Sequence, residues 1–213
     1  MIRITGGEFR GRSISAPSND RTRPTQAKLR QALFNSIQVA VPDAQVLDLF
    51  AGSGSLGFEA LSRGAKRAVF VESVRLVAGY IEKNGNLLEV RDRMKLIVDP
   101  VEKALAKIHF EGPFDIVFAD PPYASGWETR LLTDIQWEHL LRPNGYLLIE
   151  WGTQKSKAKE LPEAVPFLVK VREKIYGDSV LTTYRRVTGE ETTGDETPGE
   201  EAVEEPSQEI DPE

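Results

Sequence analysis

The sequence predicts an α/β domain of Rossmann-like type: a mainly parallel sheet with helices on both faces and a small N-terminal β-hairpin extension. Three observations carry this. Short runs at residues 46–50, 68–71, 94–98, 114–119 and 146–150 are nearly continuous in apolar side chains, as expected of strands buried on both faces. Segments of helical period separate these runs. Polar residues then fall just past the ends of several runs, the place where such sheets bind ligands.

Residues 1–25 interleave glycine and arginine with Ile2, Ile4, Thr5 and Ile14, the pattern of a short ribbon ending at an Arg23-Pro24-Thr25 turn. Thr25 is placed to N-cap the next segment, where Leu29, Leu33, Phe34 and Ile37 recur at helical spacing and Pro42-Asp43 closes the unit. The run at 46–50 is a buried strand, followed by a glycine-rich turn and a helix through Phe58 to Ser62. Glu72 closes the second strand, and a helix is expected over about 74–88, weakened by Gly79 and Gly85. Asp99 stands at the carboxyl end of the third strand and Asp120 at that of the fourth. A helical pattern over about 127–141, a Pro143-Asn-Gly145 turn and the strand at 146–150 follow. Residues 169–172 and 176–187 suggest two more strands, expected to be antiparallel. From Thr188 onward glycine, proline, threonine and glutamate dominate. That stretch has too little apolar area to offset its ordering entropy and is expected to be disordered. The expected division is a basic arm at 1–25, a body at 26–187 and an acidic tail at 188–213.

The net charge of −6 conceals this division. Of the 33 acidic residues, 11 lie from Thr188 to the end, a stretch without lysine or arginine, so 27 basic residues face 22 acids in the rest. Residues 1–31 hold seven basic residues against Glu8 and Asp20, and residues 32–187 balance at 20 against 20. A basic arm beside a neutral body suits contact with a phosphate backbone, although a merely solvated face has the same composition. The chain has no cysteine, which excludes disulfides, thiolate metal sites and cysteine nucleophiles. His109 and His139 lack metal-ligand spacing, so no metal is expected. Met1-Ile-Arg-Ile-Thr-Gly-Gly lacks the apolar region of a signal peptide, and no stretch approaches the ~20 apolar residues of a membrane span. A cytoplasmic protein with no membrane partner is expected.

Two short motifs carry chemistry. Gly52-Ser-Gly54-Ser-Leu-Gly57 satisfies the dinucleotide pattern G-x-G-x-x-G, with Glu72 at the distance of a ribose-binding acid. Asp48 argues against a nicotinamide cofactor, because a carboxylate just before the loop can receive a cationic ligand or organise the turn but would repel a pyrophosphate. S-adenosylmethionine carries a sulfonium, ribose hydroxyls and adenine but no phosphate. Close backbone at the glycines, an anion at Asp48, a hydroxyl acceptor at Glu72 and an adenine-edge partner at Asp99 fit it in order. The second motif, Asp120-Pro121-Pro122-Tyr123, follows an apolar strand. Two prolines fix φ and remove N–H donors, so the turn is stiff and its carbonyls can point inward. A carboxylate there can accept the N–H bonds of an exocyclic nucleobase amine, whose lone pair is otherwise delocalised, while Tyr123 stacks on the base. Such a base must be unpaired or flipped out. Without cysteine the covalent route to pyrimidine carbon-5 is closed, which leaves direct in-line transfer.

The chain resembles the RsmD family of bacterial ribosomal RNA methyltransferases over about residues 2–187. The resemblance lies in Ile2-Arg-Ile-Thr-Gly-Gly-Glu-Phe-Arg-Gly-Arg12, Arg23-Pro-Thr25, Arg30-Gln-Ala-Leu-Phe-Asn35, Leu47-Asp-Leu-Phe-Ala-Gly-Ser-Gly-Ser-Leu-Gly57 with Glu59-Ala-Leu-Ser-Arg63, and Val117-Phe-Ala-Asp-Pro-Pro-Tyr123. It implies a class I methyltransferase fold, S-adenosyl-L-methionine as donor, and as acceptor the N2 of a guanine in 16S ribosomal RNA, presented on an assembled small subunit to a monomeric enzyme. Carried over by position, Asp48, Phe50, Ala51, Gly52, Gly54, Glu72 and Asp99 would line the cofactor site. Asp120, Pro121, Pro122 and Tyr123 would hold the guanine, and Arg10, Arg12, Arg23 and Thr25 would meet RNA. The acidic tail departs from the family's pattern, and residues 73–80 match it loosely. Two rivals share the motifs: a DNA adenine-N6 methyltransferase, for which the chain lacks room for a target-recognition domain, and a non-catalytic RNA-binding assembly factor of the same fold.

Overall fold

The computed structural model describes residues 1–17, 24–122, 125–152 and 160–188. The acidic tail beyond Thr188, Arg23 and Tyr123 lie outside the described residues. In chain order the strands are β1 (Ile2–Arg3), β2 (Ser13–Ile14), β3 (Gln45–Asp48), β4 (Arg67–Glu72), β5 (Met94–Val98), β6 (Phe114–Ala119), β7 (Leu141–Gly152), β8 (Ala164–Val165), β9 (Leu168–Tyr176) and β10 (Ser179–Arg186). The helices are α1 (Pro24–Ser36), α2 (Ser55–Ser62), α3 (Arg75–Leu87), α4 (Val101–Ile108), α5 (Trp127–Thr133) and α6 (Trp137–Leu140). Among the described residues no helix is long and apolar enough to cross a membrane.

The main sheet has the order β5-β4-β3-β6-β7-β10-β9-β8. β5, β4, β3, β6 and β7 run parallel, and β10, β9 and β8 complete the sheet antiparallel. Strand order reverses at β3, whose neighbours β4 and β6 leave in opposite directions, and the crevice of an open α/β sheet forms at that switch point. Side chains alternate between faces. Leu47, Leu49, Val69, Val71, Val117, Ala119, Leu147 and Ile149 pack with Val101, Ala104, Ile108, Leu131 and Trp137 from α4, α5 and α6. On the other face Val46, Ile116, Phe118 and Leu148 meet Leu29, Leu33 and Phe34 of α1. Ala68 and Phe70 meet Phe58 of α2 and Ile81 of α3 there too.

β1 and β2 pair antiparallel, Ile2 with Ile14, and this hairpin joins the core through Ile2, Ile4, Phe9 and Ile14. Several boundaries differ from those the sequence suggests. α1 begins at Pro24, where a missing N–H costs nothing, so Thr25 lies inside the helix and is not its N-cap. The helical stretch expected over 127–141 is two helices, parted at Asp134, Ile135 and Gln136. β7 starts at Leu141 and carries the expected turn as a register shift, with Asn144 at φ 61°. α4 has no counterpart in the sequence reading, although Val101, Ala104 and Ile108 form a buried stripe at helical spacing.

Candidate active site

The carboxyl ends of four adjacent parallel strands, β5, β4, β3 and β6, carry Asp99, Glu72, the glycine loop and Asp120 in that order. β3 and β6 are in direct register, Asp48 beside Phe118, and the Leu49 N–H donates to the Phe118 carbonyl at 2.9 Å. The two motif-bearing loops therefore leave the sheet side by side.

The glycine loop is held from below. Gly54 occupies the N-cap of α2 at φ 82° and brings no side chain to cap the helix. Asp48 supplies the cap from the strand: its Oδ2 accepts the Gly57 N–H at 3.1 Å. Asp48 is 1% exposed, so it lies beneath the loop, where it organises the turn and is not presented at the loop's outer surface. Burial pushes its carboxyl up to about 7, with the Gly57 N–H opposing and the Glu72 charge adding to the rise. Gly57 is required by packing, because a Cβ there would stand 2.2 Å from the Phe70 ring.

Glu72 clamps two loops. Its Oε2 accepts the Gly52 N–H at 2.9 Å and its Oε1 the Val74 N–H at 2.8 Å. Ala51 is tied to the same strand, its N–H donating to the Val71 carbonyl at 2.9 Å. A Cβ built on Gly52, at φ 54°, would enter open space. The loop thus shows a bare backbone outward, and a ligand can approach it closely. Asp99 is half-buried and pairs with Lys107 of α4. Phe50 packs edge-on against Trp127 at 5.3 Å between ring centroids, and the Arg130 guanidinium lies 3.9 Å from the Trp127 ring. This aromatic contact joins the glycine loop to the segment after the Asp-Pro-Pro turn.

Asp120 is exposed at the rim, Pro121 is buried and anchors the turn, and Pro122 is exposed. The Pro122 carbonyl accepts the Ser125 N–H at 3.3 Å, which folds the turn back on itself.

The basic arm divides in two. Arg30 is buried and bonds the Arg3 carbonyl at 2.7 Å and Glu59 at 3.4 Å, so its charge serves the fold and not an external ligand. Glu59 is fully buried and also accepts the Thr5 N–H at 2.8 Å and Arg63 at 2.8 Å. Arg10 and Arg12 are exposed near the hairpin tip, and Arg12 donates to the Leu87 carbonyl at 2.5 Å. That tip docks on the last turn of α2, where Glu8 and Phe9 bond Ser62. It therefore sits at the amino edge of the sheet, opposite the rim that carries Asp120.

Asn84 is a residue that motif reading missed. It is fully buried in α3, accepts the Ser15 N–H at 2.8 Å, and donates to the carbonyls of Ser15 at 2.9 Å and Ser53 at 3.0 Å. One amide thereby ties the arm to the glycine loop. Its signal in the sequence is a polar residue inside the stripe of Ala78, Ile81 and Gly85. His109 and His139 are exposed, with ring centroids 6.4 Å apart, and among the described residues no group of acids and histidines is arranged to hold a metal.

Residues 2–185 match the family model described as conserved hypothetical protein 95. The ribosomal RNA small subunit methyltransferase D of Escherichia coli K12 is 35% identical over 189 residues, which cover 87% of this chain and 90% of that protein. The protein of the same name from Haemophilus influenzae is 34% identical over 163 residues, covering 76% of this chain and 83% of its own. Among solved structures, Escherichia coli yhhF superposes with a TM-score of 0.72 at 36% identity, over 87% of this chain and 98% of that one.

Proposed function

Because the chain belongs to the family described as conserved hypothetical protein 95, the RsmD family, we propose that it methylates small-subunit ribosomal RNA, with the N2 of a guanine as acceptor and S-adenosylmethionine as donor. The observation that carries this reading is the adjacency of β3 and β6, which sets the glycine loop beside the Asp-Pro-Pro turn on one rim. The residues present fit the donor: a bare backbone at Gly52 and an acid at Glu72, beside that backbone, that could also accept from hydroxyl groups. The donor supplies an electrophilic methyl carbon on a cationic sulfur.

The chain's own groups supply position. Pro121 fixes the turn and Asp120 projects from it, so the carboxylate can accept an N–H of the guanine 2-amine and aim the remaining lone pair at the methyl carbon. With the donor bound, the amine nitrogen would gain the methyl carbon as its bond to sulfur breaks, the neutral thioether would leave, and the nitrogen's proton would pass to solvent. Tyr123 would stack on the extruded base, and Arg10, Arg12 and Arg23 would contact the RNA backbone. The acceptor is proposed to be presented on the assembled subunit.

Transfer of labelled methyl groups onto unmodified 30S particles, naked 16S RNA and plasmid DNA tests the proposal. Label recovered as N2-methylguanosine is expected, with the particle the best acceptor, and label on DNA alone would overturn it. Asp120→Ala should slow transfer by roughly 10²- to 10⁴-fold, while calorimetry finds donor affinity within a few-fold of the parent.

A further inference from the structure

Glu150 lies on β7 and enters none of the roles described above. In the β6–β7 ladder Ala119, the last residue of β6, stands beside Ile149, so Asp120 and Glu150 are the next residues along two adjacent parallel strands, whose axes lie about 4.8 Å apart. Alternation decides where they point. Ala119 and Ile149 face α4, α5 and α6, whereas Phe118 and Leu148 face α1. Glu150, inside β7, therefore projects to the α1 face at the carboxyl rim, and the same alternation continued one residue past β6 would put Asp120 on that face.

Glu150 is held in place. Leu181 of β10 is its register partner, and Ser179, two residues earlier and on the same face, donates its hydroxyl to the carboxylate. The next residue, Trp151, is fixed on the opposite face, its indole N–H donating to Thr182 at 2.9 Å. Burial raises the Glu150 carboxyl above its ordinary value, and the Ser179 hydroxyl opposes that rise. The rim beside the Asp-Pro-Pro turn thus carries a second, oriented carboxylate.

Two neighbouring acceptors discriminate between purines. The Watson–Crick edge of guanine presents N1–H and the 2-amine side by side, both donors. Adenine presents its amine beside an N1 that accepts, so a carboxylate there would face a lone pair. Leaving a buried polar group opposed or unpaired is how sites reject an analogue by large factors. We propose that Glu150 is a specificity-determining residue that accepts the guanine N1–H while Asp120 accepts from the 2-amine. This inference rests on guanine-N2 methylation as the reaction.

The test uses small-subunit RNA carrying either guanosine or 2-aminopurine riboside at the mapped position. 2-Aminopurine keeps the amine to be methylated but has an N1 acceptor in place of N1–H. The parent enzyme should prefer guanosine by roughly 10²-fold or more in kcat/KM. Glu150→Gln can turn an amide N–H toward N1, so it should lose activity on guanosine and narrow that preference at least tenfold. Asp120→Ala should depress both substrates together. An identical preference in Glu150→Gln and the parent overturns the inference. A parent enzyme that labels no guanosine overturns the proposed function instead, a different result. If Glu150→Gln loses its native circular dichroism or donor binding, the ratio is read in Ser179→Ala, where the carboxylate stays and its orienting hydroxyl is gone. A preference narrowed at least threefold there supports the role, and an unchanged one overturns it.

Discussion

Asp48→Asn isolates the cost of burying a carboxylate under the glycine loop. The Asp48 carboxyl moves from an ordinary 3.8 to about 7 in the fold, chiefly because burial penalises its charge. That is about three pH units at 1.36 kcal/mol each, or on the order of 4 kcal/mol between the two limits. The folded-state pKa is raised, so the fold holds the proton more tightly than the unfolded chain does. Asp48 therefore contributes most below its ordinary value, and the contribution fades as pH rises through about 7. Asparagine keeps an oxygen to accept the Gly57 N–H and never ionises. Its amide hydrogens add a penalty for unmet donors of roughly 1–3 kcal/mol, but this offset does not change with pH. Urea unfolding of parent and variant, followed by fluorescence of the buried Trp137 and Trp151, should be run from pH 4 to pH 8. The variant should gain on the parent by about 1.4 kcal/mol per pH unit up to neutrality, and the difference should then level off. A difference that stays constant across this range would show that Asp48 does not carry a displaced proton, and the burial argument would fail with it.

Three further outcomes follow from the same geometry. Glu59→Gln leaves the buried Arg30 without its anion and should destabilise the protein by roughly 3–5 kcal/mol, with proteases cutting the hairpin first; an unfolding midpoint within error of the parent would refute this. Gly57→Ala forces a methyl against the Phe70 ring and should cost roughly 1–3 kcal/mol together with most donor binding, measured by thermal unfolding and calorimetry. Arg10→Ala with Arg12→Ala should lower RNA affinity and reduce the slope of log K against log salt by about 1.4, at ~0.7 per lost phosphate contact on single-stranded RNA. An unchanged slope would remove the hairpin tip from the RNA interface.

The strands were legible because their burial on both faces writes itself as continuous apolar runs. β5 and β6 have the bounds that 94–98 and 114–119 suggest. α4 escaped because its eight residues show only Val101, Ala104 and Ile108 as a stripe, and no cap or glycine marks its ends. The break between α5 and α6 escaped for another reason: Ile135 and Trp137 are both buried, so hydrophobic periodicity runs on through an interrupted backbone. At the site, the residues recognisable by type proved easier to place than to assign. Asp48 and Glu72 sit at the loop, yet in the structure their oxygens hold backbone N–H groups of Gly57, Gly52 and Val74. Glu150 was invisible as chemistry because a lone acid at a strand end has no motif. Only the β6–β7 register, Ala119 beside Ile149, brings its place on β7 next to the start of the Asp-Pro-Pro turn.

The two ends of the sheet divide the labour of such an enzyme. The glycine loop beside the Asp120 rim and the hairpin tip with Arg10 and Arg12 lie at opposite ends of α2, whose eight residues span ~12 Å at 1.5 Å each. On the proposed function, contacts at the tip would meet RNA away from the base held at the rim, so they would not aim its amine. Their loss should then change affinity and KM more than the chemical step. Glu59, Arg30 and Asn84 matter for the opposite reason. They bind the hairpin to α2, α1 and the glycine loop through buried polar groups, so the tip is carried rigidly with respect to the rim. A flexible arm with the same charges would raise local RNA concentration equally well. On the proposed function, the buried network would hold the two contacts at a fixed distance, a length against which RNA shape could be selected.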